Sequence, residues 1–224
     1  MVPFAGYAMP VQYPTGIIAE HLHTRAQAGL FDVSHMGQVR LTHRDGVEAA
    51  ARALETLVPA DIVGLAPFHQ RYTQLTNDAG GILDDLMVVN AGDALALVVN
   101  ASRKHDDVAH LGTRLPAGCR VQHLTDRALL ALQGPAAAAV LSRLAPEAAE
   151  MRFMTARALL LDGIDCFVTR SGYTGEDGYE IGLPAEAAER LARRLLAEPE
   201  VNPVGLGARD SLRLEAGLCL YGQD

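Results

Sequence analysis

The stretch Thr76-Asn77-Asp78-Ala79-Gly80-Gly81-Ile82-Leu83-Asp84-Asp85-Leu86-Met87-Val88-Val89 holds a turn, a strand and a pair of adjacent acids. Asn, Asp and Gly accept positive φ at little cost, so Asn77 to Gly81 reads as a tight turn. Apolar residues then run out from Ile82 as a strand, and Arg71 to Leu75 reads as its hairpin partner. Successive side chains of a strand point to opposite faces. Asp84 therefore shares a face with Ile82 and Leu86, and Asp85 with Leu83 and Met87, so the two cannot share a proton. An acid on an apolar face needs a partner or a ligand. A structural ion pair or a solvated strand end accounts for the same pattern.

Working outward, Gly16 to Gly29 has helical spacing in Ile17, Ile18, His21, Leu22 and Arg25. Phe31 to Leu41 reads as a strand, and Asp45 to Leu57 as a helix with Asp45 as N-cap. Beyond the hairpin, Ala94 to Val99 is a third strand, entered through the Asn90-Ala91-Gly92-Asp93 turn. Ser102 to Leu111 is helical with Ser102 as cap. Cys119 to Leu124 and Ala128 to Gln133 are strands joined by Thr125-Asp126-Arg127. Pro135 opens a helix at its favoured first position. Phe153 to Leu161 and Asp165 to Arg170 flank the Asp162-Gly163 turn. After a glycine loop come a short strand, Tyr179 to Leu183, and helices over Pro184 to Glu198 and Gly207 to Gly217. Mixed strands and helices with several hairpins indicate α+β with antiparallel sheet, not a doubly wound parallel fold. Each half has paired strands followed by a helix, which admits an internal duplication, although no sequence repeat supports one. The expectation is a single region, 1–224, with two intertwined subdomains as an option.

Composition narrows the function classes. The chain has 224 residues, 49% of them hydrophobic and 21% charged, enough for a globular core. The net charge of −8 argues against nucleic acid and against an anionic membrane surface as partners. The three cysteines, Cys119, Cys166 and Cys219, are odd in number and widely spaced. That suits a reducing, cytoplasmic compartment and gives neither a disulfide framework nor a zinc spacing. The uncharged runs at Met1 to Ala19 and Ala128 to Ser142 are broken by proline and glycine, so neither reads as a membrane span. No signal-peptide pattern opens the chain. Met1 to Tyr13 is apolar, punctuated by proline and begins abruptly, which suggests an internal piece of a longer chain.

Few motifs carry chemistry. There is no P-loop and no Gly-x-Ser-x-Gly elbow, and the glycines at 172–178 lead into a strand instead of a helix. His21 and His23 lie two apart on a helix and diverge, which is wrong for a metal pair. His35 in Ser34-His35-Met36 reads as a hydrogen-bonded histidine within a strand. Cys119 and His123 share a strand face but stand roughly 13 Å apart, too far for a thiolate pair. Acids, tyrosines and an arginine remain. Glu180 is the one charged residue of an apolar strand, Tyr173 can present a ring face, and Arg209 lies on the last helix. A flat heterocycle with an amino-amide edge suits the three together: a carboxylate for two N–H donors, a ring to stack and an arginine for the carbonyl side. That is a pterin profile, although the pattern alone does not single out a pterin. Arg213 with Asp210 reads as an ion pair on a solvated helix.

The sequence resembles the T-protein (aminomethyltransferase) family of the glycine cleavage system. The matching stretches are Met1 to Tyr7, Gly29-Leu30-Phe31-Asp32-Val33-Ser34-His35-Met36, Asn77 through Val88, Leu132-Gln133-Gly134-Pro135, Ser171 through Glu180, and Gly205 through Tyr221-Gly222-Gln223-Asp224. They cover the chain in the family's order. The resemblance implies the α+β folate-binding part of a three-part protein. It also implies transfer of an aminomethyl carbon from the lipoyl arm of the partner H-protein to tetrahydrofolate, a co-substrate, giving 5,10-methylenetetrahydrofolate and ammonia, with no metal. It assigns Asp85 as the acid beside the reacting folate nitrogens and Glu180 as the pterin-edge acid. Tyr173 and Arg209 become folate contacts, Tyr72, Met36 and Asn100 cavity residues, and Asp84 structural. The family's short N-terminal lead and C-terminal barrel have no counterpart here, so the chain is expected to be a fragment or a truncated product. Two other outcomes stay open: the folate module of a demethylating flavoenzyme, and a folate-binding accessory protein without transferase activity.

Overall fold

A computed structural model describes residues 1–224. The chain divides into two compact units, one built from residues 1–35, 126–153 and 157–224, the other from 36–125 and 154–156. In chain order, β1 (Val2–Phe4) and β2 (Tyr7–Met9) form a small hairpin, and α1 (Ile17–Ala26) leads into β3 (Ala28–Asp32). Next come β4 (Gly37–His43), α2 (Val47–Leu54), β5 (Gln70–Thr76), β6 (Ile82–Asn90), β7 (Leu95–Val99), α3 (Lys104–Arg114) and β8 (Cys119–His123). The rest comprises β9 (Arg127–Gln133), α4 (Ala137–Ser142), β10 (Thr155–Leu161), β11 (Ile164–Arg170), β12 (Gly178–Pro184), α5 (Ala188–Leu196), β13 (Val201–Pro203) and α6 (Leu206–Glu215). This is the expected α+β architecture.

The second unit is a five-stranded antiparallel sheet in the order β5-β6-β7-β4-β8. One face, with Val39, Leu41, Leu75, Leu86, Val88, Leu95 and Leu97, packs against Leu54 of α2 and Leu111 of α3. On the other face Leu83, Asp85 and Met87 of β6 and Ala96 and Val98 of β7 are half-buried, as alternation requires, while Val89 is buried. The first unit carries a six-stranded sheet, β10-β11-β12-β9-β3-β13, whose core includes Leu132, Leu141, Leu161, Tyr179, Ile181 and Leu195. Its one parallel pairing, β13 on β3, has only three residue pairs, too few to show a period in sequence.

Several local expectations are corrected. Phe31 to Leu41 is not one strand: β3 and β4 belong to different sheets. The break is a turn in which the Ser34 N–H donates to Asp32 Oδ1 at 3.0 Å and the Ser34 hydroxyl to Leu129 O at 3.3 Å. His35 therefore sits in that turn and not in a strand, buried with the edges of Phe4 and Tyr7 against its ring. Cys119–His123 and Arg127–Gln133 likewise enter separate sheets. Neither Asp45 nor Ser102 caps a helix; α2 follows Gly46 and α3 follows Arg103, both without side-chain caps. On α1 the buried residues are Glu20 and Thr24, while Ile18 and Leu22 are exposed. Glu20 faces inward because its carboxylate takes the backbone N–H groups of Tyr13 and Gly205, the latter at 2.8 Å. Arg213 is buried and not solvated, bonded to Asp210 at 2.9 Å and also to Asp224. Lys104, the only lysine, is buried too, its Cβ 2.7 Å from where a Cβ on Gly37 would stand. No helix is long and apolar enough to cross a membrane.

Within the first unit, Arg25 of α1 ties together the loop before β12 and α6. Its guanidinium donates to Thr174 O, to Glu176 Oε1 at 3.0 Å, to Leu212 O at 3.2 Å and to Glu215 Oε2 at 2.8 Å. A planar fork of fixed donors suits this work, whereas a lysine ammonium cannot span the same acceptors. Arg25→Lys is therefore expected to speed hydrogen exchange at residues 172–177 while leaving β5 to β7 unchanged. Unchanged exchange in that loop would show that Arg25 does not hold it. Gly134 offers a sharper test. Its φ is 130°, and a Cβ there would lie 2.3 Å from Gln27 O and 2.6 Å from Thr24 O, backbone atoms with no room to move. Gly134→Ala is expected to cost on the order of 1–3 kcal/mol in urea unfolding.

Candidate functional site

The acids of β6 divide as the pleat requires. Asp84 is fully buried on the core face with Leu86 and Val88, and Asp85 is half-buried on the other. Asp85 stands opposite Gln74, and Tyr72 opposite Met87, so Tyr72 is the same-face diagonal neighbour of Asp85. The Tyr72 hydroxyl donates to Asp85 Oδ2 at 3.0 Å. Asn100 follows β7, one step beyond the Leu86–Val99 pair, which brings it level with Asp85. Its side-chain amide donates to Asp85 Oδ1 and, at 2.9 Å, to Asp84 Oδ1, while its backbone N–H donates to Asp84 Oδ2 at 3.2 Å. Asn100 thus bridges the two acids. Met36 lies half-buried in the turn before β4.

Burial pushes the Asp85 carboxyl above its ordinary range. The hydrogen bonds from Asn100 and Tyr72 pull it back, and the charge of Asp84 pushes it up again. A carboxyl with a raised pKa and two fixed donors can both accept a proton and deliver one. On the core side, the α3 residue Asp107 is almost completely buried, and burial, with Asp84 as an acid neighbour, pushes its carboxyl up to about 8. Sequence pattern gave Asp107 no role. Its spacing with Lys104 and Leu111 marks the inward face of α3, and that spacing is the signal by which it could have been found.

In the first unit, β12 presents Glu180 between the buried Tyr179 and Ile181, with Thr169 and Ala131 opposite it on the neighbouring strands. Burial raises the Glu180 pKa, against the lowering effects of the Arg209 charge and of the Ser171 hydroxyl, which is 3.3 Å from Oε2. Burial in turn lowers the pKa of Arg209, while Glu180 and Tyr173 support its charge. The Arg209 guanidinium lies 4.8 Å from the centre of the Tyr173 ring, whose hydroxyl donates to Cys219 O. Glu180, Arg209 and Tyr173 therefore do come together. The difference from expectation is that one face of the tyrosine ring already carries the arginine.

The loop holding Tyr173 is shaped by Gln133, a residue the sequence pattern did not single out. The Gln133 amide donates to Ser171 O at 2.9 Å and accepts from the Thr174 hydroxyl at 2.9 Å. A Cβ at Gly172 would fall 1.7 Å from Gln133 Oε1, and one at Gly178 2.4 Å from its Nε2, so both positions require glycine. Elsewhere the donors are committed. His21 bonds Ser211 and Glu215, and His23 bonds Glu200 O. Burial pushes the Cys166 thiol up to about 11 and also raises Cys119, so neither is a thiolate nucleophile at neutral pH. No group of three or more His, Cys, Asp or Glu is placed to hold a metal ion.

Comparison with known proteins agrees with this architecture. The family model described as the GCVT N-terminal domain matches residues 1–224. A mitochondrial aminomethyltransferase of Dictyostelium discoideum is 47% identical over 240 residues, covering 100% of this chain and 59% of the relative. One from Gallus gallus is 50% identical over 232 residues, covering 100% of this chain and 58% of the relative. The crystal structure of the glycine cleavage system aminomethyltransferase T from Bartonella henselae superposes with a TM-score of 0.92 at 47% identity, over 100% of this chain and 60% of that one. A heterotetrameric sarcosine oxidase from Corynebacterium sp. U-96 shares the fold alone, with a TM-score of 0.54 at 21% identity. The chain thus spans between 58% and 60% of the length of the three aminomethyltransferases named here. On its whole length, with an α+β core of matching topology, the chain belongs to the GCVT N-terminal domain family.

Proposed function

We propose that the chain is the folate-binding part of an aminomethyltransferase, moving a one-carbon unit from a lipoyl-linked aminomethyl group to tetrahydrofolate. The observation that carries this reading is the setting of Asp85, a desolvated carboxyl held by one amide and one phenol. In the transfer, two folate amines form C–N bonds to the methylene carbon, while its bonds to the lipoyl sulfur and to the old nitrogen break. Of the two protons that the folate amines lose, one goes to the lipoyl sulfur, giving the thiol, and the other to the departing ammonia. Asp85 as carboxylate stabilises the iminium-like charge on the methylene and carries the proton bound for ammonia. Tyr72 and Asn100 hold its two oxygens in place, and Met36 adds apolar lining.

Glu180 is suited to the donor edge of a pterin. Its carboxylate is partly desolvated, and Arg209 beside it supports the charge when N–H donors arrive. Tyr173, backed by Arg209, offers its remaining ring face. The aminomethyl donor in this reading is a carrier protein with a reduced lipoyl arm, the H-protein of the family. What supports these assignments is the fit of donor and acceptor types together with the names carried by the relatives.

Two substitutions test the reading. Glu180→Gln places an N–H donor against a donor edge and removes the charge, so tetrahydrofolate affinity by calorimetry should fall by about 1.5–3 kcal/mol. Equal affinity would remove Glu180 from the site. Asp85→Asn keeps the shape, so it should leave that affinity largely intact yet lower the transfer rate by roughly 10²–10⁴-fold. In the parent, the rate should decline as pH falls through the raised Asp85 pKa, because only the ionised form takes up the proton. A transfer rate unaffected by Asp85→Asn would overturn its assignment.

A further inference from the structure

Gln70, the first residue of β5, leaves more hydrogen-bonding capacity unmet than any other buried side chain. It is 5% exposed, and neither its amide nitrogen nor its amide oxygen has a partner within the chain. A glutamine amide offers two donors and an oxygen with two lone pairs. Leaving these unmet in a buried place is costly, and native chains avoid it except where the group serves another purpose. The backbone around Gln70 is strained as well. Phe68 has a φ of 60° and Met154 one of 61°, the left-handed region that bulky side chains rarely adopt. Both residues border Gln70 directly: the Gln70 N–H donates to Met154 O at 2.8 Å, and Phe68 O accepts from the Ala156 N–H at 2.7 Å. Strain of this kind gathers at ligand clamps and switch segments.

The register puts Gln70 on the face of Asp85. Gln70 stands opposite Val89, as Tyr72 stands opposite Met87 and Gln74 opposite Asp85. On β7, Val98 is level with Met87 and Ala96 with Val89. An apolar strip of Met87, Val98, Val89 and Ala96 therefore leads from Asp85 to Gln70, over roughly 13 Å at the strand rise. The strip closes along its length, since Tyr72 is 48% exposed but Val89 only 3% and Gln70 5%. A ligand that reacts at Asp85 and lies along the strip needs apolar atoms next and a polar group at its far end. Gln70 sets the kind of polar group. Its N–H suits a carbonyl and its carbonyl suits an N–H, and a carboxamide offers both side by side.

We propose that Gln70 recognises a carboxamide at the far end of a substrate held over Met87 and Val89. Two substrates of the reading above end an apolar stretch in such an amide. The lipoyl arm does so where it joins the lysine of its carrier, and tetrahydrofolate does so where its benzoyl group joins glutamate. Seating the amide gives Gln70 its missing partners. It also requires the covered end of the strip to open, and release of the strain at Phe68 and Met154 lowers the cost of that movement. The inference rests on the proposed function only for the place of the reacting end, at Asp85.

NMR of the chain labelled with carbon-13 and nitrogen-15 reads the Gln70 side-chain amide directly, with its signals assigned through the backbone. Dihydrolipoamide and tetrahydrofolate are added separately. Each is set against a counterpart that ends in a carboxylate where it has the amide, dihydrolipoic acid and tetrahydropteroic acid. At least one of the two amides should move the Gln70 side-chain protons downfield, and its counterpart should not; the amide that does so names the substrate. Signals that ignore both amides, or that answer the carboxylates equally, overturn the proposal. Stability gives an independent check. Methionine matches glutamine in length without its polar atoms, so Gln70→Met should raise the urea midpoint. A lowered midpoint would show that solvent satisfies Gln70 in the folded chain, and would overturn the proposal too. In the transfer assay Gln70→Met should raise KM for the substrate so named by roughly three- to tenfold, the worth of one net hydrogen bond, with kcat unchanged. An amide seated on Gln70 in a chain without transfer activity overturns the proposed function and leaves this contact intact. Full transfer with unmoved Gln70 signals does the reverse.

Discussion

The pleat of β6 is the constraint from which the chemistry of the second unit follows. Two consecutive acids on a strand cannot face the same way. One of them, Asp84, must enter a hydrocarbon core, where an unsolvated charge is tolerable only with several donors around it. Asn100 supplies two of those donors because it follows β7 in register with the acids. Once Asn100 is fixed by the buried acid, its remaining amide hydrogen is aimed at the other. The cost of burying Asp84 is thereby turned into a fixed geometry for Asp85. A solvated acid pair at the same position would leave Asp85 free to rotate.

The first unit solves a different problem, holding a glycine-rich loop still. The loop between β11 and β12 has little apolar content with which to anchor itself. It is held instead by polar groups reaching in from neighbouring elements: Gln133 from β9, Arg25 from α1 and Asp177 of the loop itself, which pairs with Arg170 at 2.6 Å. Fully satisfied polar networks of this kind rigidify and specify a conformation. Their cost is intolerance of added atoms, visible at Gly172 and Gly178, where a methyl group would overlap the Gln133 amide.

Much of this was legible in the sequence, for reasons that differ by element. The β5–β6 hairpin carries alternation and turn chemistry together, and the two strands pair as read. The Asp162-Gly163 turn adopts positive φ at both residues, as its composition requires. Phe31 to Leu41 misled because apolar alternation continues across a break that depends on the side chains of Asp32 and Ser34. On α1 the apolar stripe pointed the wrong way. The buried Glu20 serves the backbone amide of Gly205, 185 residues away in sequence, as well as that of Tyr13, and no local period encodes that. Asp107 and Gln133 escaped notice for the same reason: each matters through a partner distant in sequence. Glu180 stood out because a lone charge in an apolar strand is costly, and that cost is local.

The single lysine has a consequence of its own. Lys104 lies buried in the first turn of α3, packed under Gly37. An endoprotease that cuts only after lysine finds one bond per molecule, and that bond is closed to it while the helix is formed. Under native conditions the rate of nicking then follows the population of molecules in which this segment has opened. Because α3 also carries Asp107, a single proteolytic band on a gel becomes a gauge of how firmly the scaffold behind the β6 acids is held, with no label and no engineered site.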